Sequence, residues 1–209
     1  MASIYDIKPA FQNLLRPLVS MLARLGVTAN QVTIGALLLS LAEGGAIFLW
    51  PESRWPLLCL PLVLSIRMGL NAIDGMLARE HGMQSALGGF LNELSDVAAD
   101  AALYLPFALV AGISPTLVVI SVILSLLTEM AGVVSVQVGS SRRYDGPMGK
   151  SDRAFVFGFL GLLLGIGLNP AWWANIALVI VSLLTTLTIY NRVTLGLQEL
   201  AAGNETQPN

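Results

Sequence analysis

From Gln31 to Asn191 the chain is a succession of apolar runs separated only by short turn signals, and most of these runs reach the roughly 20 helical residues that cross a bilayer. The runs fall at residues 31–50, 56–79, 86–112, 115–139, 153–168 and 170–191. Between them lie Pro51-Glu52-Ser53-Arg54, His81-Gly82, Ser114-Pro115, the Tyr144–Lys150 segment and Asn169-Pro170. Backbone in hydrocarbon must satisfy its own hydrogen bonds. A chain patterned this way is therefore predicted to be an all-α integral membrane protein with six transmembrane helices. A hydrophobic content of 55%, against 11% charged residues, fits that class and not a soluble core.

Ahead of the first run, Ile4, Ile7, Phe11, Leu14, Leu15, Leu18, Leu22 and Leu25 recur at helical spacing, with Lys8, Arg16 and Arg24 between them. This predicts an amphipathic helix over 4–25 lying in the membrane interface. A first membrane helix broken at Pro9 and Pro17 is the alternative. There is no uninterrupted apolar core suited to a cleaved signal peptide. Residues 1–198 read as one membrane domain, with the six spans over 31–191, and residues 199–209 read as a disordered polar tail. The net charge of −2 offers no basis for binding nucleic acid, and the single Cys59 excludes an intramolecular disulfide or a thiolate metal cluster. All but one of the basic residues at the run boundaries fall on one side, Arg54 being the exception. By the positive-inside tendency that side is cytosolic, and both termini share it.

The functional signal lies between Asn71 and Asp100, where carboxylates interrupt apolar sequence, an expensive arrangement that usually marks a working site. Asn71, Asp74, Gly75 and Ala78 share one helical face, and Asn92, Asp96 and Asp100 step along another. Two rows of oxygen donors on neighbouring helices suit a hard divalent cation such as Mg²⁺ or Mn²⁺. One turn deeper, Arg67 and Asp100 are placed to meet as a buried ion pair, while Glu43 and Glu129 have no evident partner in the sequence. Arg142, Arg143, Lys150 and Arg153 gather around the fourth-to-fifth connection. They carry the positive-inside signal and also make a candidate grip for a phosphate group.

The spacing Asn71-x2-Asp74-Gly75-x2-Ala78-Arg79-x8-Gly88-x3-Asn92-x3-Asp96 resembles the signature of the CDP-alcohol phosphatidyltransferases, D-x2-D-G-x2-A-R-x8-G-x3-D-x3-D, with Asn at two of its four acidic positions. The resemblance implies transfer of a phosphatidyl group from CDP-diacylglycerol to an alcohol acceptor, release of CMP, and a location in a bacterial inner membrane, often as a homodimer. It further implies metal ligation by Asp74, Asp96, Asn71 and Asn92, with Asp96 as general base, and nucleotide contacts from Gly75, Ala78, Arg79 and Gly88. The segment Thr28-Ala29-Asn30-Gln31-Val32-Thr33 resembles the family's T-P-N-x-x-T and adds Asn30 and Thr33 to the nucleotide set; locally, Thr28 or Asn30 also reads as a helix N-cap. The basic segment implies a phosphorylated acceptor, glycerol 3-phosphate first and inositol phosphate next, with neutral alcohols still open. A non-catalytic CDP-lipid or nucleotide binder is the alternative, because the two Asn residues remove two negative charges from the cation site.

Overall fold

The computed structural model describes residues 4–205, and among them every regular element is helical. The α-helices are α1 (Ile4–Arg24), α2 (Ala29–Leu49), α3 (Arg54–Glu80), α4 (Ala86–Tyr104), α5 (Pro115–Gln137), α6 (Lys150–Gly165) and α7 (Ala171–Glu205). Helices α2, α3, α5 and most of α7, over Trp172–Ala202, are long and apolar enough to cross a membrane. Helix α4 carries buried and half-buried acids, and α6 has only 16 residues.

Local chemistry sets the boundaries. Thr28 caps α2 with a reciprocal capping box, its hydroxyl accepting from the Gln31 amide at 3.3 Å while the Gln31 side chain accepts from the Thr28 amide at 2.9 Å. Ser85 caps α4 by accepting from the Gly88 amide at 3.0 Å, and Pro115 opens α5 at the position where a missing N–H costs nothing. Asp152 accepts from the Gly149 amide at 2.9 Å, which starts α6 at Lys150, one turn earlier than the apolar run suggests.

The third apolar run is not one helix. Pro106 has no N–H to offer the carbonyl four residues back, and the chain passes from α4 into a 3-10 turn over Leu105–Leu109. The carbonyl left over, that of Ala102, packs against Gly44 of α2, where a Cβ would run into it. Substituting Gly44 by Ala is therefore expected to push α2 from α4 and cost about 1–3 kcal/mol. Thermal unfolding in detergent checks this, with Gly45→Ala, where a Cβ meets open space, as the comparison.

Helix α2 packs on α3 and α4, α3 on α6, α5 on α7, and α1 on α3. The main core is built from Leu60, Leu64, Leu103, Tyr104, Phe107, Phe157 and Leu178. Within it Tyr104 stacks on Phe157 at 4.0 Å between ring centroids, and Phe107 meets the same ring edge-on at 5.4 Å. Gly158 and Gly161 let short α6 come close to Pro61, Leu57 and Leu60 of α3. A second cluster joins Val19 of α1 to Val32 of α2 and to Ile73, Met76 and Leu77 of α3.

Helix α1 is continuous through Pro17 and turns Phe11, Leu14, Leu18 and Met21 outward, while Arg16 holds Glu80 at the end of α3 at 3.1 Å. Helix α7 continues well beyond residue 191 and takes up residues 199–205, which composition alone assigns to a disordered tail; 206–209 lie outside the described residues. The added turns have a partner: Glu199 accepts from the Ser140 and Ser141 hydroxyls and pairs with Arg143 at 2.9 Å. The chain's four tryptophans, Trp50, Trp55, Trp172 and Trp173, stand at the end of α2 and the starts of α3 and α7, which is one end of the bundle. Tryptophan favours the membrane–water boundary. The apolar helices and this band make the chain a membrane protein.

Candidate functional site

At the opposite end, the start of α2, the end of α3 and the start of α4 enclose a cleft of about 270 Å³. Helix α2 contributes Asn30 and Thr33, α3 contributes Asp74, Gly75, Ala78 and Arg79, and α4 contributes Gly88 and Asn92. The six residues expected at a nucleotide thus share one cavity with two of the four expected metal ligands. The small residues make room for neighbours: a Cβ on Gly88 would lie 2.9 Å from the Asn30 amide oxygen, and one on Gly75 would lie 2.9 Å from the Arg79 guanidinium. Arg79 thus folds back over Gly75 at the rim. Replacing Gly88 by Val is expected to displace Asn30 and weaken CDP binding by about tenfold or more, the loss of one good polar contact. Equilibrium dialysis with CDP checks this, and unchanged affinity would remove Gly88 from the nucleotide wall.

Asp74 is buried, and its carboxylate accepts from the Thr33 hydroxyl at 2.8 Å. Asn71 and Asp96 form a second group beside it. The Asn71 amide donates to Asp96 Oδ1 at 3.2 Å, and the Lys150 ammonium at the start of α6 forms an ion pair with the same oxygen. A smaller cavity of about 140 Å³ holds Asn71 and Lys150 together with Arg67 and Met68. Asp74 lies within electrostatic reach of both Asp96 and Lys150. Among the described residues no group of three or more His, Cys, Asp or Glu side chains is placed to hold a metal. The donors expected there, two carboxylates and two amides, are the oxygen ligands that suit a hard divalent cation.

Below the cleft a chain of charges ties five helices, α3 to α7, together. Arg67 meets Asp100 at 2.6 Å and donates to the Asp96 carbonyl at 3.1 Å. Arg153 meets the other Asp100 oxygen at 3.2 Å and Glu129 at 2.9 Å, and it donates to the Thr128 hydroxyl and the Met148 carbonyl. Arg192 donates to the Thr128 backbone carbonyl and lies 3.8 Å from Glu129. Arg142 joins Glu129 at 3.7 Å to Glu93 at 2.8 Å.

The network sets one expected phosphate ligand apart from the others: the Arg153 side chain is 0% exposed, and its two terminal nitrogens are held by Asp100, Glu129, Thr128 and the Met148 carbonyl. Arg142 and Arg143 remain near the surface, but Arg143 is held by Asp145 and Glu199, each at 2.9 Å. Two members of the network do not stand out in the sequence. Thr128 carries no charge to draw attention, and Arg192 counts there only toward orientation. Glu43 stays buried with no hydrogen-bond partner for Oε1 among the described residues. A cavity of about 860 Å³ between α4 and α5 is apolar apart from Glu93, Glu129 and Arg142, and its lining includes neither Asp74 nor Asp96.

The family model for CDP-alcohol phosphatidyltransferase matches residues 26–188. Inner membrane protein YnbA of Escherichia coli (strain K12) is 46% identical over 192 residues, covering 91% of this chain and 94% of that protein. Phosphatidylinositol phosphate synthase of Mycolicibacterium smegmatis is 25% identical over 206 residues, covering 92% and 88%. Solved structures of Mycobacterium tuberculosis phosphatidylinositol phosphate synthase share the fold. The one with CDP-DAG bound has a TM-score of 0.71 at 18% identity, covering 86% of this chain and 92% of that one. The one in complex with manganese and citrate has a TM-score of 0.71 at 20% identity, covering 86% and 87%. The fold, the cleft and the signature spacing together define a polytopic membrane phosphotransferase. The chain belongs to the CDP-alcohol phosphatidyltransferase family, whose members release CMP and use a divalent metal.

Proposed function

We propose that this chain transfers a phosphatidyl group from CDP-diacylglycerol to a phosphorylated alcohol, at a site on the cytosolic face of a bacterial inner membrane. In this reading α2–α7 all span the bilayer, α1 lies along the interface, both termini are cytosolic and the assembly is a homodimer. The observation that carries it is the single cleft shared by Asn30, Thr33, Asp74, Gly75, Ala78, Arg79, Gly88 and Asn92, with Asp96 beside it. The cleft sits at the end of the bundle away from the tryptophans, where the basic residues accumulate and where nucleotides are found. An apolar groove of about 350 Å³ between α3 and α6 shares Leu64, Met68, Ser151 and Ala154 with the Lys150 cavity and gives an acyl chain a path into the bilayer.

The cytidine enters among Gly75, Ala78 and Gly88, where short side chains permit close approach, and Asn30 and Arg79 supply polar contacts. Asp96 takes the acceptor's hydroxyl proton. The freed oxygen attacks the β-phosphorus, the new P–O bond forms, the bond to the CMP phosphate breaks, and CMP departs with the electron pair. Asp74 and Asp96, with Asn71 and Asn92, would hold Mg²⁺ or Mn²⁺, which when bound neutralises charge developing on the leaving phosphate. Lys150, Arg142 and Arg143 are each matched to a carboxylate, so an acceptor phosphate reaches a guanidinium by displacing one. Glu93 and Asp145, more than a third exposed, are the partners with room to swing aside.

The relatives move inositol phosphate ahead of glycerol 3-phosphate as the acceptor, since the Mycolicibacterium protein similar over most of this chain is a phosphatidylinositol phosphate synthase. The experiment is a product assay with CDP-diacylglycerol, Mg²⁺ or Mn²⁺, and inositol phosphate, glycerol 3-phosphate, inositol or serine, read by the mass of the lipid formed. A phosphatidylinositol phosphate product supports the reading. A product formed only from inositol or serine would overturn the phosphorylated acceptor, and a preference for glycerol 3-phosphate would reverse the order of the two phosphorylated acceptors.

A further inference from the structure

The signature this chain resembles has four acidic positions, and this chain brings two carboxylates, Asp74 and Asp96, with Asn71 and Asn92 at the other two. Two divalent ions on two carboxylates would leave a double positive charge for the substrate diphosphate alone to offset, at the edge of a low-dielectric bundle. The structure already fills one side of the site with a cation of its own. Lys150, the first residue of α6, pairs its ammonium with Asp96 Oδ1. The same oxygen accepts from Asn71 and lies 3.6 Å from Arg67. The Lys150 side chain is only 27% exposed, and the Gly149–Asp152 cap fixes where its helix starts.

We infer that Lys150 supplies, from the protein itself, the positive charge that a second divalent ion would bring to Asp96, so the centre takes one metal and one fixed ammonium. This rests on the phosphatidyl-transfer reading and deepens it. An ammonium is a compact point charge with three donors, suited to a phosphate oxygen, and its place at Asp96 puts it beside the cleft where the diphosphate of a CDP-linked lipid would lie. The exchange explains both Asn residues and Lys150 together: the site gives up two negative charges and gains a built-in positive one. Its net charge therefore suits a single divalent ion bound with an anionic substrate.

The test is a count of bound Mn²⁺. Purified wild-type protein in detergent, with CDP-diacylglycerol in the micelles, is titrated with Mn²⁺ while the paramagnetic resonance signal of free Mn²⁺ is followed. One ion per chain is expected. Lys150→Met should bind Mn²⁺ about tenfold more tightly, because the competing ammonium is gone, and should release CMP more slowly. Lys150→Arg should restore the wild-type Mn²⁺ affinity. Adding Asn71→Asp and Asn92→Asp to Lys150→Met should raise the count to two. Two ions in the wild type, none, or Lys150→Met with unchanged or weaker Mn²⁺ affinity would overturn the inference, and the wild-type count decides even if the variants fail to fold. CMP release by the wild type is scored separately: a protein that binds two ions and releases CMP loses the inference and keeps the phosphatidyl-transfer reading, whereas one that neither binds CDP-diacylglycerol nor releases CMP loses both.

Discussion

Asp96→Asn is expected to slow CMP release by about 10²–10⁴-fold, the usual worth of a general base, while leaving CDP binding within a few-fold of wild type. The separation follows from the layout. Asp96 does not line the cleft that holds Asn30, Gly75, Ala78, Arg79 and Gly88; it faces Asn71 and Lys150 on the acceptor side. The amide keeps the shape of the side chain and an oxygen for Lys150, so nucleotide contacts have no reason to shift. The base function is lost because a neutral amide does not take the acceptor's proton. Single-turnover CMP release and dialysis with CDP measure the two quantities. Retained turnover would remove Asp96 as the base, and an equal loss of CDP binding would make it a general support of the site.

Asp100→Ala should cost about 3–5 kcal/mol of stability, the range for removing one partner of a buried ion pair. The reason is that Asp100 serves two guanidinium groups at once. Arg67 holds one oxygen at 2.6 Å and Arg153 the other at 3.2 Å, with side-chain exposures of 3% and 0%. Without the carboxylate both cations lose their shared partner, although Arg67 keeps the Asp96 carbonyl and Arg153 keeps Glu129. Because α3, α4, α5 and α6 all contribute, the loss should appear as global unfolding and not as local loosening. Thermal unfolding in detergent should show a large drop in Tm or no folded protein. A change below about 1 kcal/mol would place the network among ion pairs that specify geometry without adding stability.

The apolar runs locate most of the helices because a 3.6-residue period and bilayer length leave few alternatives, and the spacing from Asn71 to Asn92 is enough to place the cleft residues of α3 and α4 on facing helix surfaces. The meeting of Arg67 and Asp100 followed from antiparallel helices at matched depth. Other features depend on packing that no local pattern carries. Arg153 looks like a loop-edge charge until Asp152 fixes the start of α6, which turns the guanidinium inward toward Asp100 and Glu129. Glu129 finds its partners only when α6, α7 and the connection before α6 bring Arg153, Arg192 and Arg142 to α5. The end of α7 reads as a polar tail because its stabilising contact, Glu199 with Ser140, Ser141 and Arg143, joins residues more than fifty positions apart. Lys150 on Asp96 is hidden for the same reason.

Phosphatidyl transfer is tested most directly by acceptor-dependent CMP release from the purified wild-type protein, supplied with CDP-diacylglycerol, Mn²⁺ and inositol phosphate, with the same mixture lacking the alcohol as the blank. CMP and a phosphatidyl-alcohol are expected in equal amounts, both absent from the blank. A protein that binds CDP-diacylglycerol yet yields no CMP with any alcohol in the panel would contradict phosphatidyl transfer, and would make Asn71 and Asn92 the marks of a site that holds its lipid without turning it over.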